Sequence, residues 1–346
     1  MQKKPRIAQL APLWIPIPPR TYGGIELMLS ELIEELVKRK YDMTLFSSGD
    51  SRTSARLIPV IEKSIWLDHE LKNPHAPVMR MLKEVFDRFY EFDILHNHFN
   101  FFMFPLSLSF NCPRFLTTIH RPVDKQYAEA IKAYPKIKLV AISEDHKKSM
   151  EEFGVPVYSV VYNGINPARY EFNNSSGDYL LYLSRLNREK GVLTAIEIAK
   201  AAGQKLIITG NSAGNAEWSF FLHEIQPRLN DENISFRGQV NFQEKVELLK
   251  NAKALLFPID RREPFGLVMI EAMACGTPVI GFRKGSVPEI IEHGKTGFIV
   301  DTPEEMIKVI EWLPEINRKV CRQTVEEKFS LKQMVNKYEK IYEKLA

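Results

Sequence analysis

Cysteine is scarce. The chain of 346 residues holds three, Cys112, Cys275 and Cys321, an odd number with neither close pairing nor metal-ligand spacing, which argues against a disulfide framework and a zinc site. A reducing, cytoplasmic setting is the expectation that follows. Long apolar runs are missing too. No stretch approaches the ~18 uninterrupted apolar residues that a membrane-spanning helix needs, and the apolar start is broken by Pro12, Pro16, Pro18 and Pro19 with no small-residue cleavage site after it, so no secretory leader is expected. Charge of one sign is not in excess: 47 Lys and Arg against 43 Asp and Glu leave +4. Without a basic run interleaved with aromatics, a nucleic-acid surface is not expected, and small anionic ligands fit better. The G-x-G-x-x-G fingerprint is absent, which removes the best support for hydride chemistry. Short repeats and low-complexity segments are absent as well.

What is present is alternation. A first set of strands is expected at Arg6 to Ala11, Asp42 to Ser47, Asp93 to His96, Arg114 to Thr118, Leu139 to Ser143 and Tyr158 to Tyr162. An amphipathic helix from Ile25 to Arg39 carries the stripe Ile25, Met28, Leu29, Leu32, Ile33 and Leu36. A second set is expected at Tyr179 to Leu183, Lys205 to Thr209, Ile234 to Arg237, Ala254 to Pro258, Pro278 to Phe282 and Gly297 to Val300. Between them lie the breakers Asn163-Gly164-Ile165-Asn166-Pro167 and Asn173 to Asp178. The pattern predicts two doubly wound, Rossmann-like parallel-sheet domains, 1–165 and 166–329, facing across a cleft at the carboxyl ends of their strands. A final helix is expected over 330–346. The aromatic run Phe99, Phe101, Phe102 and Phe104 suits a core helix. Met79 to Phe92 is amphipathic and could lie on a membrane surface, but its acids Glu84, Asp87 and Glu91 cancel its basic charge, so membrane association is not the leading expectation.

The most informative block runs from Glu263 to Ile280, where Glu263 and Glu271 stand eight positions apart. Pro264 suits a first helical turn and Gly276 a left-handed cap, which places Glu263 just before a helix and Glu271 inside it. At ~1.5 Å per residue the two backbones are roughly 10 to 12 Å apart, a span that lets one carboxylate grip each end of a long polyhydroxylated ligand. The N–H groups of Phe265, Gly266, Leu267 and Val268 open that helix toward phosphate or sugar oxygens. Leu183 to Gly191 follows a strand and brings Arg185 and Lys190 to a helix start, where a diphosphate would be stabilised. In Thr21-Tyr22-Gly23-Gly24-Ile25-Glu26 the paired glycines allow close approach of backbone to a phosphate. His96 and His98 end one strand and His120 another, at edges that open toward the expected cleft. Gly285-Ser286-Val287-Pro288-Glu289 suits a helix start with Ser286 as its cap. No two aspartates anywhere stand as D-x-D, so the cations and dipoles would have to hold a diphosphate without a divalent ion; no metal is expected.

The Glu263–Glu271 block resembles the E-x7-E signature of retaining glycosyltransferases of family 4, which have the GT-B fold. Ser184-Arg185-Leu186 with Glu189-Lys190-Gly191 looks like that family's G-R-L…E-K-G motif, Gly23-Gly24-Ile25-Glu26 its G-G-x-E loop, Thr118-Ile119-His120-Arg121 its T-x-H-G segment with Arg121 in place of glycine, and Gly285 to Glu289 its G-G-x-P-E turn. Ala11-Pro12-Leu13, Tyr22-Gly23-Gly24 and Pro258-Ile259-Asp260 are similar to the antibiotic-type and pterin glucosyltransferases, while Arg261 and Arg262 depart from the Trp-Glu pair associated with that subgroup. The resemblance implies transfer of a hexosyl group, glucose by subgroup, from a nucleoside diphosphate sugar such as UDP-glucose to an acceptor hydroxyl, with no cofactor. It places Arg185, Lys190, Gly23 and Gly24 on the diphosphate, Glu271 on the ribose, Glu263 on the sugar hydroxyls, and His120 on the sugar or reacting centre. His98 and Arg121 fall on the acceptor side, and the last helix is implied to return to the first domain. Two other readings stay open: a nucleotide-sugar epimerase and a non-catalytic sugar-nucleotide-binding protein.

Overall fold

A computed structural model describes residues 4–21, 23–212, 214–230 and 232–346; Tyr22 of the glycine loop lies outside them. The chain falls into two compact units, Met1–Gly164 with Leu331–Ala346, and Ile165–Ser330.

In the first unit the strands are β1 (Arg6–Leu10), β2 (Asp42–Ser48), β3 (Arg56–Ile61), β4 (Ile94–Asn97), β5 (Arg114–Thr118), β6 (Lys138–Ala141) and β7 (Ser159–Val160). They form one sheet in the order β3-β2-β1-β4-β5-β6-β7, every neighbouring pair parallel. Both faces are covered, which is why the strands read as near-continuous apolar runs. Alternate strand residues serve opposite cores. Ile7, Ile94, Leu116 and Val140 pack with the helix Gly24–Lys38 and the C-terminal helix Leu331–Leu345. Ala8, Leu95, Phe115 and Leu139 pack with the helices His75–Asp87 and Lys125–Lys132 and with Met103, Phe104 and Leu106 of the 3-10 segment Asn100–Leu108. The aromatic run is therefore core, though in 3-10 geometry, with Phe99 and Phe104 fully buried.

β3 is an unanticipated element. Pro59 in the middle of Arg56-Leu-Ile-Pro-Val-Ile removes a ladder donor, and the strand is tolerated because it sits at the sheet edge, where its register against β2 also shifts.

The second unit holds β8 (Tyr179–Leu183), β9 (Lys205–Thr209), β10 (Ile234–Phe236), β11 (Ala254–Phe257), β12 (Val279–Phe282) and β13 (Gly297–Val300), ordered β10-β9-β8-β11-β12-β13 and again all parallel. In each sheet the winding direction reverses beside the first strand of the unit, between β1 and β4 and between β8 and β11. Crevices that bind ligands in open parallel sheets form outside the carboxyl ends of strands at such reversals. No helix among the described residues is long and apolar enough to cross a membrane.

Candidate active site

The second unit contributes a charged cluster at the carboxyl ends of β8 and β11. After β8 the chain turns through Arg185 and a 3-10 turn Arg188–Lys190 into the helix Val192–Ala201, with Gly191 in the left-handed region at φ 76° as its cap. A Cβ at Gly191 would lie 2.0 Å from the carbonyl oxygen of Pro258, so glycine is what lets this turn press against the end of β11. Lys190 thereby reaches Glu263: Nζ donates to Oε2 at 2.8 Å, with both side chains about 85% buried. Burial pulls the Lys190 ammonium below its usual range, and Glu263 opposes that pull. Arg261 donates to the same Glu263 oxygen at 3.3 Å and also pairs with Glu189. Arg185 pairs with Glu217. The Nε atoms of both Arg185 and Arg261 are buried and have no hydrogen-bond partner among the described residues. Two cations, Lys190 and Arg261, thus meet on the Glu263 carboxylate while Arg185 pairs with Glu217, and the two buried Nε atoms leave donor capacity that suits an incoming anion with several oxygens.

The helix expected at Pro264 begins later. Its range is Leu267–Ala274 with Gly266 as cap at φ 79°, so Pro264 belongs to the preceding loop and Glu263 stands three residues before the cap. What fixes that loop is the turn at Gly285. Ser286 donates its backbone N–H to the Glu263 carbonyl at 3.1 Å and its Oγ to the Phe265 carbonyl at 2.6 Å. The Ser286 side chain therefore does not cap its own helix, as expected from sequence; it ties down the Glu263 loop instead. Phe265 is buried edge-on against Phe329, while Leu267 and Val268 are half-buried in the first turn. Glu271 faces inward rather than outward, 6% exposed, and its Oε1 accepts from Lys245 Nζ at 2.5 Å and the Tyr170 hydroxyl at 2.9 Å.

The first unit contributes a second, separate cluster. Gly23, at φ 149°, caps the helix Gly24–Lys38, and a Cβ there would lie 2.4 Å from the Ile15 side chain. Glu26 in its first turn is 7% exposed, and burial raises its carboxyl to about 7. On the sheet face covered by the C-terminal helix, apolar residues give way to polar ones toward the carboxyl edge: Ile7 to Gln9 on β1, Ile94 to His96 and His98 on β4, Leu116 to Thr118 and His120 on β5. These are joined by hydrogen bonds. His98 Nδ1 meets His120 Nε2 at 2.9 Å, His98 Nε2 meets Gln9 Oε1 at 2.9 Å, and Gln9 Nε2 donates to the Tyr342 hydroxyl at 3.1 Å. His96 Nδ1 meets Tyr342 at 2.7 Å and its Nε2 meets Thr118 Oγ1 at 2.8 Å. Burial lowers all three imidazoles, His120 to about 3 and the other two well below the usual range, so each is neutral at pH 7. Arg121 is exposed, its guanidinium 5.3 Å from the Tyr127 ring centre, and its carbonyl accepts from His146 Nε2 at 3.1 Å.

The sequence-predicted residues thus gather in two groups, Arg185, Lys190 and Glu263 in one unit and His98 and His120 in the other, with Glu271 in a buried pair of its own. Gln9, Tyr342, Tyr170, Lys245 and Arg261 join them without a sequence signal, except that Arg261 stands at a position of departure from the family pattern.

Two family models match adjoining parts of the chain: glycosyltransferase family 4 over residues 22–169 and glycosyl transferases group 1 over residues 169–328. N-acetyl-alpha-D-glucosaminyl L-malate synthase of Bacillus anthracis is 30% identical over 181 residues, 49% of this chain and 46% of that relative, so the match spans about half the length of each. Among solved structures, sucrose-phosphate synthase from Thermosynechococcus elongatus superposes with a TM-score of 0.83 at 18% identity over 98% of both chains. Anabaena HepE, in complex with UDP-glucose, gives 0.77 at 16% identity over 98% of this chain and 100% of that one. At such identities these structures speak for the fold alone, while the two contiguous family models carry the assignment: the chain belongs to the glycosyltransferases of the group 1 and family 4 type, with the GT-B fold.

Proposed function

We propose that this protein transfers a hexosyl group from a nucleoside diphosphate sugar to an acceptor hydroxyl with retention at the anomeric carbon. The observation that carries the reading is the Lys190–Glu263 pair with Arg185 and Arg261 beside it, each guanidinium keeping a buried, unpartnered Nε. As the bond from the anomeric carbon to the diphosphate oxygen breaks, negative charge grows on the leaving group, and Arg185 and Lys190 offer fixed donors to it. The acceptor oxygen bonds to the anomeric carbon on the face being vacated, and a phosphate oxygen takes its proton, so no protein nucleophile is required. Glu263 holds sugar hydroxyls, Glu271 the ribose, and His120 the sugar. With three cations at hand and no D-x-D pair in the sequence, transfer is expected to proceed without a divalent ion. UDP-glucose is the proposed donor; the subgroup resemblance and the ligand of the HepE structure support it.

The test is a thermal-shift panel of UDP, GDP, ADP and their glucose and mannose esters, with and without chelator. A ligand at ~100 times its dissociation constant adds about 2.7 kcal/mol, a readable shift. A chelator-insensitive shift by UDP-glucose is expected. No shift from any member of the panel overturns the reading. With the donor in hand, Glu263→Gln is expected to lower kcat and Glu271→Ala to raise the donor KM; parental kinetics in both would sink these roles.

A further inference from the structure

We propose that Tyr342, Gln9 and His98 are positioning residues that fix the tautomer of His120, so that its Nδ1 presents a lone pair to a hydroxyl of the bound sugar. This rests on the proposed contact of His120 with the transferred sugar and adds to it a defined proton arrangement imposed from the C-terminal helix.

The polarity follows link by link. Gln9 spends its amide N–H on the Tyr342 hydroxyl, so its Oε1 faces His98 as an acceptor. His98 must then carry its proton on Nε2. A neutral imidazole has one N–H, so His98 Nδ1 accepts, and the only proton available to bridge the 2.9 Å contact is on His120 Nε2. Burial keeps both rings neutral. His120 Nδ1 is left unprotonated, and it has no partner among the described residues. The other arm closes the circuit: Tyr342, already accepting from Gln9, donates to His96 Nδ1 at 2.7 Å, and His96 Nε2–H donates to Thr118 Oγ1, which also meets the Tyr338 hydroxyl at 2.9 Å. Every member from Tyr338 to His98 is at most 2% exposed, while His120 at the end of the chain is partly exposed. A polar chain this deep that ends at the surface of the sheet edge is costly unless each link is made, and each link is made. Two tyrosines one helical turn apart, 338 and 342, anchor it.

The experiment reads 15N shifts of the histidines in the full chain at pH 7.5, which requires no substrate. The parent is expected to show His120 protonated on Nε2 alone. Gln9→Leu and Tyr342→Phe are expected to leave the fold intact by circular dichroism, to give His120 a mixture of tautomers, and to lower kcat about tenfold with donor binding by thermal shift unchanged. Gln9→Glu keeps an acceptor toward His98 and is expected to retain the parental tautomer. A His120 protonated on Nδ1 in the parent, the order that a turned Gln9 amide would impose, overturns the proposal, as does an unaltered tautomer in both Gln9→Leu and Tyr342→Phe. If the tautomers behave as stated but no nucleotide sugar is turned over, the proposed function fails while the proton arrangement stands.

Discussion

Gly285 shows how one hydrogen in place of a methyl group shapes the charged cluster. At φ 57° it is in the left-handed region, and a Cβ there would lie 2.4 Å from both the backbone nitrogen and oxygen of Glu263. Gly294 has a similar φ of 77° with nothing within 4 Å, so it isolates the strain term. Gly294→Ala is expected to cost about 1 kcal/mol. Gly285→Ala should cost clearly more and lower turnover as well, because the displaced backbone carries Glu263; chemical denaturation and kcat of the two variants decide it. Glu26 supplies a second residue-scale prediction. Its folded-state carboxyl is raised to about 7, so the folded chain holds a proton that the unfolded chain releases near 4.5. Its contribution to stability is complete below pH 4.5 and is lost as the pH rises through 7. Glu26→Gln removes the cost of burying a charge, so it should unfold at a higher temperature than the parent at pH 8, by a free energy on the order of 1 kcal/mol, with the gap closing at pH 4.5. A constant gap across that range would count against a buried ionising carboxyl.

At the scale of elements, periodicity carries packing. Met28, Leu29, Leu32, Ile33 and Leu36 of the helix Gly24–Lys38 are all buried against the C-terminal helix and sheet, whereas Ile25, the first of the expected stripe, is only half-buried. Ile33→Ala should therefore cost about 2 to 5 kcal/mol. Phe86 on the helix His75–Asp87 is 55% exposed, and Phe86→Ser should stay within roughly 0.5 kcal/mol of the parent; urea titration of both variants checks the contrast. The same logic explains what was legible. Strands flanked by breakers and long amphipathic helices declare themselves locally, and the motif glycines and charged residues stand out by spacing. β3 did not, because Pro59 contradicts a strand unless the edge position is known. Neither did the late start of the helix at Leu267, since Gly266 caps it in the left-handed region where a Cβ would lie 2.8 Å from the Phe257 ring, a crowding that sequence spacing does not announce. Contacts across long separations are silent in sequence. Gln9 and Tyr342 are 333 positions apart, and Ser286 reaches Phe265 across 21.

For the molecule as a whole, the histidine chain makes one unit more sensitive to acid than its composition suggests. His96, His98 and His120 all belong to the unit Met1–Gly164 with Leu331–Ala346, and burial depresses each of them. A base with a depressed folded-state pKa remains neutral in the folded chain while the unfolded chain takes up a proton below about 6.5. Stability is therefore complete above pH 6.5 and falls as the pH drops below it; for His120 the loss runs on toward pH 3, at on the order of 1 kcal/mol per pH unit. Glu26 works in the opposite direction between pH 7 and 4.5, but one carboxyl opposes three imidazoles. Hydrogen exchange at pH 7 and pH 5, corrected for the intrinsic pH dependence of amide exchange, should show protection falling in β1, β4, β5 and the C-terminal helix. The loss there should exceed that in β8 and β11. In His96→Gln, whose side chain keeps a donor and an acceptor without titrating, the loss should shrink. If protection in the two sheets declines together and the His96→Gln variant behaves as the parent, then the imidazoles are not what acid attacks first.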